Sequence, residues 1–184
     1  MDAKEFKTRF DLDLLHRRTL YLHGEITDQM AAEVGAALVW LNAIGADPSM
    51  LYVDSPGGKA GAGLDIVDAI NHSKAPVDVT IYRQANSMAS VIAQACRRRR
   101  IMRGAEMLLH AIRVERPLDV LEDDTERAKS LTEISGMQRR IEELFATRTG
   151  QSVDSIKRLI RVGENITRLN AQKALELGFV DEII

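Results

Sequence analysis

Short β-rich runs in this chain are each followed by small residues and then by a helical pattern. This recurrence restricts the fold more than any other feature. Thr19–His23 (TLYLH) is β-rich and is closed by Gly24. A helix is predicted from about Asp28 to Ala43, with Asp28 as N-cap and Trp40 on the apolar side. Met50–Val53 reads as a strand ended by the turn signal Ser55-Pro56-Gly57-Gly58. Leu64, Val67 and Ile70 then fall at helical spacing. Val77–Tyr82 alternates like a strand, and Ser87–Cys96 reads as the start of a buried helix. Ile101–Met102 and Met107–Leu109 suggest two more short strands, or one interrupted strand.

The second half is more helical. Leu131, Ile134, Met137, Ile141, Leu144 and Phe145 give Thr125–Thr147 a one-sided apolar stripe. Ser152 can cap a shorter helix through about Arg161, and Asn170 another over Ala171–Leu177, stopped by Gly178. Phe179–Ile184 is apolar and strand-like. The alternation predicts an α/β protein with a largely parallel sheet. At 184 residues, with no Pro/Gly/Ser-rich linker, the chain reads as a single domain over 1–184.

Composition narrows the function classes. The formal net charge is −2, which argues against a dedicated nucleic-acid binder. The run Arg97–Arg100 is read as a solvated loop between helix and strand, with no interleaved aromatic platforms. In an oligomer these arginines could pair across a subunit boundary. Cys96 is the single cysteine, so no internal disulfide or multi-cysteine metal cluster can form. No apolar run approaches the ~20 residues that span a bilayer, and the N-terminus has no apolar signal core. A cytoplasmic protein without cofactor, metal or membrane association is expected.

Two strand–turn–helix junctions could carry chemistry. In Asp54-Ser55-Pro56-Gly57-Gly58 the glycines let the backbone approach a bound group, and their N–H groups can hold developing negative charge. A plain tight turn is the competing reading. In Arg83–Ser90 a serine, Ser87, stands where strand passes to helix, as in a nucleophile elbow, and Met88 would offer its N–H to an oxyanion. The competing reading is that Ser87 only caps the helix. Of the four histidines, His16 reads as surface and His72 as a helix-end cation. His23 could be surface or buried, while His110, ending Met107-Leu108-Leu109, is the best-placed base.

YVDSPGG, ANSMAS, MLLH, TGQSVDSI and NAQKALELGFVDEII occur in an order and near a spacing that resemble the proteolytic subunit of the ATP-dependent Clp protease. The resemblance runs from about Thr19 to Ile184. It implies a repeated β-β-α superhelix shared with crotonases, an N-terminal segment over 1–18, and a protruding helix-strand handle over about 111–148. It implies a serine endopeptidase with Ser87 as nucleophile, His110 as base, and an oxyanion hole at the Gly57/Gly58 pair, chiefly Gly58, and Met88. The chain departs from the family where Asn86 replaces a small residue and Ala111-Ile112 replaces Gln-Pro. It departs again where the third triad member, an Asp in the family, is due. An ungapped count puts Ile166 there; a one-residue shift offers Asn165, with Glu164 as second candidate. An Asn can orient a histidine but cannot stabilise imidazolium by charge.

The resemblance further implies stacked heptameric rings, unfolded polypeptide substrates and an AAA+ ATPase unfoldase. The short N-terminus puts that ATPase partner in question. Two alternatives stand beside it: a non-catalytic structural subunit of a mixed ring, and a crotonase-type acyl-CoA enzyme.

Overall fold

The computed structural model describes residues 11, 13–113, 124–160 and 166–184. Its strands are β1 (Thr19–Ile26), β2 (Ser49–Gly58), β3 (Val77–Asn86), β4 (Arg99–Ile101), β5 (Glu106–Leu109), β6 (Thr167–Asn170) and β7 (Glu182–Ile183). Its helices are α1 (Asp28–Ile44), α2 (Ala60–Asn71), α3 (Met88–Ala95), α4 (Asp124–Thr149), α5 (Val153–Leu159) and α6 (Ala171–Glu176). The strands form one mixed sheet with the path β1-β2-β3-β4-β7. All pairs are parallel except β5 with β6.

On its edge away from β2, β3 serves two neighbours. Val79–Ile81 pairs with β4, whereas Gln84–Asn86 pairs with β5. The sheet therefore forks along β3, and the second branch carries the end of the strand toward Ser87. The expected α/β alternation is present, with α1, α2 and α3 packed in a row beside β1–β3. The core is aliphatic, with Leu22, Leu51, Ile66, Ile81, Ile92 and Met107 almost wholly buried. Phe145 and Phe179 add an edge-to-face pair at 5.3 Å, joining α4 to the C-terminal segment.

Several local expectations are corrected. Thr27, not Asp28, caps α1: its hydroxyl accepts the Met30 N–H at 3.2 Å. Asp28 lies in the first turn and pairs with Lys59. The Ser55–Gly58 turn signal does not end its strand. β2 continues to Gly58 across register shifts against β1 and β3, because bulges absorb the glycine conformations. The arginine run is a solvated connection only in its first half: Arg97 and Arg98 are exposed between α3 and β4, whereas Arg99 and Arg100 belong to β4. Arg99 opens β4 and is buried, ion-paired with Asp181 at 2.5 Å and hydrogen-bonded to Gln94. Arg97 pairs within the chain with Asp78 at 2.8 Å. The terminal strand is shorter than expected, since Phe179 and Val180 serve the core instead.

α4 buries only Ile141, Glu142 and Phe145, all in its second half. Leu131, on the predicted apolar stripe, is 46% exposed. The first half of α4 thus adds little to the core of the single chain.

Candidate active site

The end of β2 is tied down from below. Asp54 is almost fully buried and accepts Arg83 Nε on both carboxylate oxygens at 2.9 Å. His23 Nδ1 lies 3.4 Å from the same carboxylate. Burial pushes the Asp54 carboxyl up, but hydrogen bonds from Arg83 and Gln84 and the charges of Arg83 and His23 outweigh it. The group stays below the usual carboxylate range. Next to it, the wholly buried Ser55 donates to Gly24 O at 2.6 Å and accepts the Gly57 N–H at 3.1 Å. One hydroxyl therefore fixes the bend that starts the glycine pair.

Gly57 (φ +97°) lies hard against the next strand end. A Cβ there would stand 2.6 Å from Ser87 Cβ and 2.7 Å from Asn86 O, so only glycine fits. Three successive N–H groups then divide their roles. Gly57 donates to Ser55 Oγ, Lys59 donates to Ile26 O at 3.0 Å, and Gly58 lies between them in the cleft wall.

Ser87 follows the last residue of β3 and precedes the first of α3. Its backbone stands at φ +52°, ψ −124°, a region that serine rarely occupies. Its N–H donates to Leu108 O of β5 at 2.7 Å, which adds a rung to the β3–β5 ladder. Its side chain makes no cap hydrogen bond to α3, so the simple capping alternative does not hold. The α3 turn is closed by Ser90, whose hydroxyl donates to Ser87 O at 2.6 Å. Met88 opens the helix, so its N–H has no intrahelical acceptor.

Ser87, Met88, Gly58 and His110 line one cleft of about 580 Å³. His110 follows β5 directly and is half-buried. Its Nδ1 lies 2.6 Å from Ala111 O. With Nδ1–H donating to that carbonyl, Nε2 is the basic nitrogen. Beyond His110, the Ile112 N–H donates to Gln138 Oε1 at 2.8 Å, and Gln138 Nε2 donates to Glu142 at 2.9 Å. Gln138 thus fastens the segment after the histidine to α4, a link hidden in sequence because its partner is a backbone group. Gly57 touches Ser87 but does not line the cleft. Ile166 is described just before β6 and is 39% exposed. Asn165 and Glu164 lie outside the described residues.

The other histidines sit elsewhere. His72 ends α2, with Nδ1 2.8 Å from Asp68 O. His16 is exposed and meets Trp40 edge-on at 5.5 Å. No helix among the described residues is long and apolar enough to cross a membrane.

A family model described as Clp protease matches residues 3–184. Proteins named ATP-dependent Clp protease proteolytic subunit, from two strains of Streptococcus pneumoniae, are each 33% identical over 177 residues, spanning 93% of this chain and 86% of theirs. A solved structure of a ClpP1 asparagine-to-aspartate mutant from Listeria monocytogenes is 28% identical. It superposes with a TM-score of 0.82 over 95% of both chains. Family model, curated relatives and fold agree with one another. The chain belongs to the Clp protease family of serine endopeptidases.

Proposed function

We propose that this chain is a working peptidase subunit in which Ser87 is the nucleophile and His110 the base. The observation that carries the reading is the unusual backbone of Ser87, which sets the serine at the start of α3 in the same cleft as His110. Ser87 Oγ bonds to the peptide carbonyl carbon as its proton passes to His110 Nε2. The carbonyl oxygen becomes an oxyanion held by the Gly58 and Met88 N–H groups and by the positive end of α3. Collapse breaks the C–N bond, and the departing amine takes the proton from His110. Water then repeats the sequence on the acyl-enzyme and restores Ser87.

The Ala111 carbonyl orients His110 in the present conformation, and Asn165 is the residue we propose as third member, with Glu164 as its competitor. A carbonyl or an asparagine fixes the tautomer without offsetting imidazolium charge, so the site is expected to be slower than one backed by a carboxylate.

The family implies oligomeric rings and ATPase partners in general. For this chain we propose stacked homomeric heptamers in the cytoplasm, enclosing the Ser87 clefts and receiving unfolded polypeptide from an AAA+ unfoldase. Exposed Val39, Ile44 and Leu131 support burial in such contacts. Fluorophosphonate labelling with peptide mapping tests the chemistry. The expected result is an adduct on Ser87 and loss of peptide hydrolysis in Ser87→Ala. No adduct in folded rings overturns the proposal.

A non-catalytic subunit of a mixed ring is the second reading, favoured by the pairing of His110 Nδ1 with a peptide carbonyl. Robust cleavage abolished by Ser87→Ala eliminates it.

A further inference from the structure

This inference rests on the catalytic reading of the Ser87 cleft. Part of the cleft wall is apolar, built by Val91 of α3 and by Ile134, Met137 and Ile141 of α4. The cleft is also lined by two cations, Lys59 and Arg113, and by no carboxylate among the described residues. Lys59 engages Asp28 at 2.5 Å. Arg113 is exposed, and no carboxylate among the described residues pairs with it.

Arg113 is delivered to this place by the Gln138 link, because the backbone one residue earlier is bonded to α4. It follows His110 by three residues, so their backbones are separated by at most about 11 Å. That is the span of about three residues of an extended peptide.

We infer that Arg113 determines specificity, selecting peptides that carry Asp or Glu within about three residues of the scissile bond. A neighbouring apolar side chain of the same peptide occupies the wall formed by α3 and α4. One exposed guanidinium–carboxylate pair corresponds to a preference of about two- to fivefold, weakening as salt rises.

The test uses fluorogenic peptides identical except for Glu, Gln or Lys at each of the three positions on either side of the cleaved bond. The assembled wild-type protein is expected to prefer Glu to Lys at one position or more. The preference is expected to vanish in Arg113→Gln and to invert in Arg113→Glu. A Glu/Lys ratio near one in the wild type, or a ratio that survives Arg113→Glu, overturns the inference.

A second measurement keeps the inference apart from catalysis. Anisotropy of the same labelled peptides on Ser87→Ala rings reads charge selection without turnover. Absence of Ser87-dependent cleavage with Glu-selective binding overturns the peptidase reading alone. Cleavage or binding indifferent to peptide charge overturns the role of Arg113 alone.

Discussion

Gly57→Ala probes whether the glycine turn and the Ser87 elbow are one packed unit. The added methyl would stand 2.6 Å from Ser87 Cβ, 2.7 Å from Asn86 O and 3.1 Å from Met88 N. Ordinary carbon contacts lie at about 3.5–4.0 Å, so the turn and the elbow must separate by roughly 1 Å. None of these atoms is the free end of a flexible side chain, so no rotamer change relieves the clash. The residue must also hold φ +97°, which disfavours a Cβ by about 1–2 kcal/mol. Overpacking adds about 1–3 kcal/mol. The expected loss of stability is therefore about 2–5 kcal/mol, read by thermal or denaturant unfolding at fixed protein concentration. Activity should fall further than stability accounts for, because a shift of about 1 Å at a reacting group costs on the order of 10²-fold. The comparison variant is Gly35→Ala in α1, where an added Cβ meets nothing within 4 Å. It should be neutral or stabilise by about 0.5–1 kcal/mol. Gly57→Ala rings with wild-type unfolding and wild-type kcat/KM would refute the packing argument.

Two further perturbations address parts remote from the cleft. Burial works to raise the Asp181 carboxyl, but Arg99 and Arg148 outweigh it and hold it below the usual range. Its stabilisation is complete above the unfolded-state pKa of about 3.9 and is lost as pH falls through the lower folded value. Asp181→Asn should therefore cost roughly 1–3 kcal/mol at pH 7 after allowance for solvent screening of the half-exposed carboxylate, with a smaller penalty in acid. An equal penalty at pH 3 and pH 7, measured by urea unfolding, contradicts this. The thiol of Cys96 is fully buried and pushed up to about 12, mainly by burial. Thiol reagents at pH 8 should react at the rate of unfolding; rapid modification of the native protein contradicts that placement.

The fold was legible wherever apolar period and local chemistry coincided. Val77–Tyr82, Leu64/Val67/Ile70 and Asn170 as a cap all show their roles in a few adjacent residues. Strand ends were less legible because Pro56, Gly57 and Gly58 look like a stop, whereas pairing of Gly57 and Gly58 with Glu25 and Ile26 of β1 carries the strand on past a bulge. Ile101 pointed to β4, but the strand's start was hidden because Arg99 carries a buried charge whose partner, Asp181, is remote in sequence. β6 was missed for a related reason. Thr167–Asn170 alternates only weakly, and its strand character comes from antiparallel pairing with β5. For the candidate site, sequence could name Ser87, Met88, Gly58 and His110 but not show that they share a cleft. It could not find Gln138, because a side chain that binds a backbone N–H leaves no complementary residue type to search for.

The bond from the Ser87 N–H to Leu108 O has a dynamic consequence. That amide belongs to the sheet, whereas the Met88 amide beside it belongs to the open first turn of a helix. Solvent exchange at the first requires the β3–β5 branch to part; exchange at the second requires only access to the cleft. The two neighbouring amides are therefore held differently, one by a strand ladder and the other by no acceptor within its helix. Amide exchange at Ser87 should therefore be slower than at Met88, a difference that reports the β5 anchor on one residue alone.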